Sequence, residues 1–162
     1  MIDNYTKTIE LIKEKNVDFR KNNKETDCFI HEAEVFLSII FPQSFKKFLK
    51  EFGYVSFGGL EIYGIIDNDF VNSSIPDVVW LNNLNRKKFS QPHHIISISD
   101  MGDGSDYALD LSQMNSDNEC PVVVWPIGGY EMTQVLEVVA PDFGTWFLDM
   151  VKERIKWKEE DC

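Results

Sequence analysis

An α+β domain, with helices packed on one mostly antiparallel sheet, is predicted by three features of the sequence. The first half carries apolar residues at helical spacing, and most of the second half alternates with the period of two that strands require. The last stretch returns to helical spacing, and the order of helices, strands with one helix inserted and a closing helix fits that architecture. The length of 162 residues and the absence of an internal repeat or low-complexity linker suit a single domain spanning 1–162, with its core at about 28–157.

The first predicted helix covers about residues 4–15, with Tyr5, Ile9 and Ile12 near one face and Asp3 as its cap. A polar connection, NVDFRKNNKETD, follows. DCFIHEAEVFLSII predicts a short helix through Phe29, Ala33, Phe36 and Leu37, with Asp27 as a cap. FPQSFKKFLKEFG is the clearest helix. Pro42 suits its first turn, Phe45, Phe48, Leu49 and Phe52 recur on one face, and Gly53 is placed for a left-handed cap. Leu60–Ile66 reads as a strand, and Val78, Leu81 and Leu84 favour a helix ending near Lys88. HIISIS sets Ile96 and Ile98 against Ser97 and Ser99, and YALDL sets Tyr107, Leu109 and Leu111 against Ala108 and Asp110. NSDN marks a turn, PVVVWPI an inner strand, and Phe143, Trp146, Phe147, Met150 and Val151 a closing helix.

Composition narrows the function. Hydrophobic residues make up 43% and aromatic residues 13%, enough for a sizeable core, so overall disorder is excluded. Sixteen Lys+Arg against 27 Asp+Glu give a formal net charge of −11. Such a surface repels phosphate backbones and anionic membranes, so neither nucleic acid nor membrane is an expected partner, whereas a basic protein is. Cys28, Cys120 and Cys162 are odd in number and lack zinc-type spacing, which fits free thiols in a reducing compartment. The first residues show no basic-then-apolar leader and no apolar run reaches the length of a membrane span, so a cytoplasmic protein is expected.

The stretch SDMGDGSDYALD concentrates Asp100, Asp103, Asp106 and Asp110 around Gly102 and Gly104. Counted from Asp100, an EF-hand register places glycines at positions three and five and leucine at twelve, so the calcium-loop pattern fails. Asp-Gly between two alternating segments is tight-turn chemistry, and the glycines and serines around Asp100, Asp103 and Asp106 suggest solvated carboxylates rather than a desolvated acid–base pair. Asp110 is expected to face away from the core. His93 and His94 follow Pro92 at the start of a strand, and His31 sits beside Glu32 and Glu34 on a helix. A Cys–His nucleophile would need Cys28 or Cys120 alongside a histidine, and a small buried thiol is the simpler reading of Cys120. GYVSFGGLEIYG has neither a dinucleotide nor a phosphate-loop pattern. No catalytic residue, metal ligand or cofactor site is assigned, and no cofactor is expected.

In these segments the chain resembles the SUKH superfamily, the Smi/Knr-like domains that include many bacterial immunity proteins. HEAEVFLSI is similar to the family's first core helix, with Glu34 at its recurrent glutamate. FPQSFKKFLKEFG resembles its Leu-Pro segment, with Phe41 where leucine is usual. GGLEIYGI, MGDGSDYALDL, CPVVVW and FGTWFLDMV resemble the strand, Gly/Asp turn, strand and final aromatic helix that follow. Ser105 stands where glycine is frequent, and FGYVSFGG is shorter than the family's Asn-Gly-Gly pattern. The resemblance implies a SUKH fold and a non-enzymatic protein that binds and neutralises a cognate toxin of a polymorphic toxin system, in many cases a nuclease with a basic surface. A regulatory or scaffold module of the same fold is the alternative. A small metal-dependent hydrolase, using the aspartates with His93 or His94, is a third reading. Loop position, charge and aromaticity nominate Asp77, Trp80, Asp100, Asp103, Asp106, Glu119, Tyr130 and Glu131 as the partner-binding surface.

Overall fold

The computed structural model describes residues 3–18, 20–21, 27–128 and 135–161. Helix α1, Asn4–Glu14, begins where the Asp3 side chain accepts the Thr6 N–H at 2.7 Å. Helices α2, Asp27–Leu37, and α3, Gln43–Phe52, follow, and a two-residue strand β1, Arg20–Lys21, lies in the segment read as a polar connection. Two antiparallel strands, β2 (Val55–Phe57) and β3 (Leu60–Ile62), pair with β1 in the order β1-β2-β3. Helix α4, Val78–Phe89, then leads into β4 (Ile95–Asp100), β5 (Ser105–Asp110), β6 (Val122–Pro126) and β7 (Val138–Ala140), a second antiparallel sheet in sequence order. Helix α5, Phe143–Glu160, closes the chain. The two sheets meet where the Tyr63 N–H donates to the Ile98 carbonyl at 2.8 Å. The chain is therefore a single mixed α+β domain, as the order of periodicities predicts, with two antiparallel sheets in place of the one expected.

The helices gather the phenylalanines into one cluster. The Phe45 and Phe143 rings meet edge-on at 5.1 Å between centroids, Phe48 meets Phe147 at 5.6 Å, and Tyr5 of α1 reaches Phe147 at 6.1 Å. This density of aromatic contacts locks α1 and α3 onto α5. Gly144 lets α1 approach, because a Cβ there would lie 3.0 Å from the Tyr5 nitrogen.

Gly53 has positive φ, as predicted, but not the left-handed cap: φ +74° with ψ −65° makes a γ-turn in which the Tyr54 N–H donates to the Phe52 carbonyl at 2.9 Å. The turn aims the Gly53 carbonyl at the Ile65 N–H, 3.2 Å away. That carbonyl crosses Gly64 so closely that a Cβ at Gly64 would overlap it.

The alternation in β4 and β5 does not separate inside from outside. Ser97, Ser99, Asp106 and Asp110 are all buried. A bulge between Ser97 and Ser99 breaks the period, Ile95, Ala108, Val123 and Trp125 form a second buried cluster, and the Ser99 hydroxyl donates to the Glu61 carbonyl at 2.7 Å. Asp110, expected to point away from the core, instead caps the short 3-10 turn Leu111–Gln113 by accepting the Ser112 N–H at 3.1 Å and the Gln113 amide at 2.7 Å.

Candidate binding surface

Two features of the surface could receive a partner, and they lie at opposite ends of the β4–β5 hairpin. The first is the hairpin tip. Asp100 Oδ1 accepts the Gly102 N–H at 2.7 Å, and Asp103 Oδ1 accepts the Ser105 N–H at 3.0 Å. Gly102 and Gly104 supply the positive φ of +81° and +90° that the reversal requires. The Asp-Gly stretch is thus a chain reversal, and both carboxylates stay exposed to solvent.

Three other nominated carboxylates are not on that surface. Asp106 is 3% exposed, on the buried face of β5 opposite Trp125. Desolvation pushes its carboxyl up to about 6, a Ser97 hydrogen bond opposes the rise, and the nearby Asp100 charge adds to it. Asp77 is 0% exposed because it is the N-cap of α4, where Oδ1 accepts the Val79 and Trp80 N–H groups at 2.9 and 3.0 Å. Burial holds its carboxyl above the ordinary value despite those bonds. Glu119 performs a similar service across the fold. Pro42 gives α3 no side-chain cap, and Glu119 accepts the Ser44 hydroxyl at 2.7 Å and the Ser44 N–H at 3.2 Å, while Asn118 O accepts the Gln43 N–H at 2.8 Å. A carboxylate at a helix N-terminus is favoured by the macrodipole. Its desolvation nevertheless raises its carboxyl. Asp77 and Asp106 are corrections to the nominated surface, because both are buried, whereas Glu119 is half-buried with its carboxylate engaged by Ser44. Trp80 is half-buried on the first turn of α4. Tyr130 and Glu131 lie outside the described residues.

The second feature was not visible in the sequence. The outer end of α2, the 38–40 loop, His93, His94 and the 3-10 turn enclose an open groove of about 770 Å³. Its walls are largely apolar, with Val35, Ile39, Ile40, Leu111 and Met114, and they carry His31, His93 and His94, which are all the histidines of the chain. Glu34, the groove's carboxylate, is already engaged. It accepts the Phe41 N–H at 2.8 Å and pairs with Lys46 at 3.3 Å, tying α2 to α3. Arg86 of α4 fastens the far wall by donating to the Leu37 and His93 carbonyls at 2.8 and 3.0 Å.

Among the described residues the aspartate–histidine arrangement of the metal-dependent alternative is not assembled. The hairpin separates Asp100 and Asp103 from His93 and His94 by the length of β4, about 20 Å at the usual strand rise. Among the described residues no group of three or more His, Cys, Asp or Glu is gathered as a metal site. Cys120 is fully buried, and desolvation, with Asp110 and Glu119 adding, pushes its thiol up to about 12, far from a nucleophilic thiolate at neutral pH. Cys28 is exposed. Among the described residues no helix is long and apolar enough to cross a membrane.

The helix–hairpin–helix frame and the Pro-initiated α3 agree with a family match. The family model SUKH_5, described as SMI1-KNR4 cell-wall, matches residues 5–152. The chain belongs to the SUKH family. A search of curated proteins finds no match to its sequence. A crystal structure of a protein from Pseudomonas syringae pv. tomato is similar to this SUKH chain, with 21% identity, a TM-score of 0.55 and coverage of 74% of this chain and 82% of that one. That likeness concerns the fold. Within this SUKH domain, Glu34 has a clear structural task, since it joins α2, the loop after it and α3.

Proposed function

We propose that this SUKH protein is an immunity protein that binds a cognate polymorphic toxin, a nuclease, and neutralises it stoichiometrically in the cytoplasm without turnover. The observation that carries this reading is the strongly acidic composition of a SUKH chain, net −11, with Asp100 and Asp103 exposed at the hairpin tip. A nuclease that grips phosphate presents basic side chains, and an acidic inhibitor is steered toward such a surface and can occlude it. Both aspartates spend one oxygen on their own turn, so their charges are held in place before a partner arrives.

The test is co-expression with toxin domains encoded beside this gene. Rescue of growth together with one-to-one co-purification is the expected result, and the complex should weaken as salt rises. Failure to rescue or bind any neighbouring toxin ends the immunity reading. Salt-insensitive binding would move the weight from charge to apolar anchors.

A further inference from the structure

Beneath the hairpin tip lies a second carboxylate that the chain reversal does not use. Asp100 and Asp106 stand directly opposite each other in the β4–β5 pairing. Side chains so placed share a face of the sheet, with Cβ atoms about 5 Å apart. Yet Asp100 is exposed and Asp106 is buried. The pair joins a charge in solvent to one withdrawn from it.

The fold supplies this pair with no countercharge. Among the described residues neither aspartate is in an ion pair. The groups facing Asp106 are Asp100 and the Ser97 hydroxyl from β4, the uncharged Trp125 from β6, and Tyr63 from the segment after β3. Tyr63 is 3% exposed, and burial raises its phenol, with the charges of Asp106, Asp100 and Glu61 adding, so it stays neutral. Beside these groups opens a pocket of about 370 Å³ whose lining includes Glu61, Tyr63, Asp100, Gly102 and Arg154. Arg154 is the cation of that lining, and it is engaged with other groups. It donates to the Gly58 carbonyl at 3.1 Å and lies over the Trp157 ring, 4.5 Å from the centroid. Burial and the like charge of Asp100 lift the Asp106 carboxyl to about 6, close to neutral pH. A cation brought to the pair works against that rise, because a nearby opposite charge favours the ionised form.

We infer that the tip is a proton-linked receptor for a cationic side chain: a lysine or arginine of the partner seats in the pocket beside Asp100, and Asp106 releases its proton to solvent as that charge arrives. This rests on the reading of the tip as the surface that meets a basic partner, and adds the regulation of that surface by pH. By linkage, a ligand whose arrival expels a proton binds more tightly as pH rises. Where Asp106 is already ionised, binding is at its tightest. In acid the cation must first displace the proton, and binding weakens.

The first measurement needs no partner. Carboxyl NMR of the full chain should show Asp106 titrating about half a pH unit or more lower in Asp100→Asn than in the parent, because the like charge opposite it is gone. An unchanged midpoint shows that the two carboxylates are not coupled and overturns the inference. The second measurement uses hexalysine, whose side chains stay charged throughout the range. Its affinity, read from the Gly102 and Ser105 amide signals, should be at least about threefold tighter at about pH 7.5 than at about pH 5. Asp106→Asn carries every other titrating group of the chain, and it should lose most of that difference. A pH dependence as large in Asp106→Asn as in the parent overturns the inference while leaving the acidic tip as a binding surface. Hexalysine that binds the double variant Asp100→Asn and Asp103→Asn as tightly as the parent at about pH 7.5 removes the tip itself as the surface for a basic partner, and the inference falls with it.

Discussion

Asp106 shows how a single carboxylate can be misplaced by its neighbours in sequence and what that placement costs. Its flanking serine and glycine suggest solvent, but β4 and β6 lie on either side of it, with Asp100 and Trp125 as its register partners. Water is excluded, and the acid is held at about 6 rather than 3.8. Between those two values the native protein binds a proton that the unfolded chain does not, so stability is greatest below the lower value, falls as pH rises toward the upper one, and is level above it. Asp106→Asn removes the ionisation and keeps a polar group for Ser97. The variant should be more stable than the parent above about pH 6, by about 1–3 kcal/mol, with the difference fading toward about pH 4. Urea unfolding at both ends of that range checks it, and an equal difference at the two pH values would show that burial of the charge is not the cause. Asp77 and Glu119 carry the same lesson in another form. Asp77 spends its charge locally, as the N-cap of the helix it precedes, while Glu119 spends its charge on Ser44, 75 residues away, a link that no local sequence pattern shows.

At the scale of elements, the long periodic segments were legible and the short ones were not. Helices α1 to α5 follow apolar spacing, and each is found within a few residues of its predicted bounds. Strands β1, β2 and β7 have two or three residues, too few to display a period. The alternation in β4 suggests one buried face, because a sequence does not show that Ile95, Ala108, Val123 and Trp125 gather into a second buried cluster. Helix α4 meets the open edge of the same strand, and its Asn82 makes the joint. The Asn82 amide donates to the Ser97 carbonyl at 2.9 Å while its oxygen accepts the Ser97 N–H at 2.7 Å, so one side chain completes the edge of β4 as a neighbouring strand would. Gln91 donates to the same Asn82 oxygen at 2.8 Å and to the Ile95 carbonyl at 2.7 Å. Asn82→Ala leaves these buried groups without partners and should cost about 2–4 kcal/mol. Hydrogen exchange locates the loss: the Ser97 amide should lose more protection than the Ala108 amide, which lies inside the β5–β6 pairing. Uniform loss across both would point to general loosening instead.

Across the whole molecule, the fold and the acidic tip were readable from order, spacing and composition, whereas the groove was not. His31 lies on α2 and His93 and His94 after α4, and the Arg86 bonds to Leu37 and His93, with His93 Nε2 3.4 Å from the Ser38 carbonyl, bring those segments to one wall. The result is a domain with two unlike ends, an acidic turn and a largely apolar trough, joined by one hairpin. The charge at the tip can be tested without touching the fold. Asp100 and Asp103 each use Oδ1 to hold their own turn, and asparagine keeps that acceptor while removing the charge. The double substitution Asp100→Asn and Asp103→Asn should therefore change stability by no more than about 0.5 kcal/mol, as for exposed sites in general. Its effect belongs to encounter. Association with a basic partner should slow several-fold at low salt, the two proteins should converge as salt rises, and the dissociation rate should hardly change. Stopped-flow binding across a salt series separates these rates. A variant that associates as fast as the parent at low salt would show that the tip does not steer the partner, while a faster dissociation at every salt would place the aspartates inside the contact itself.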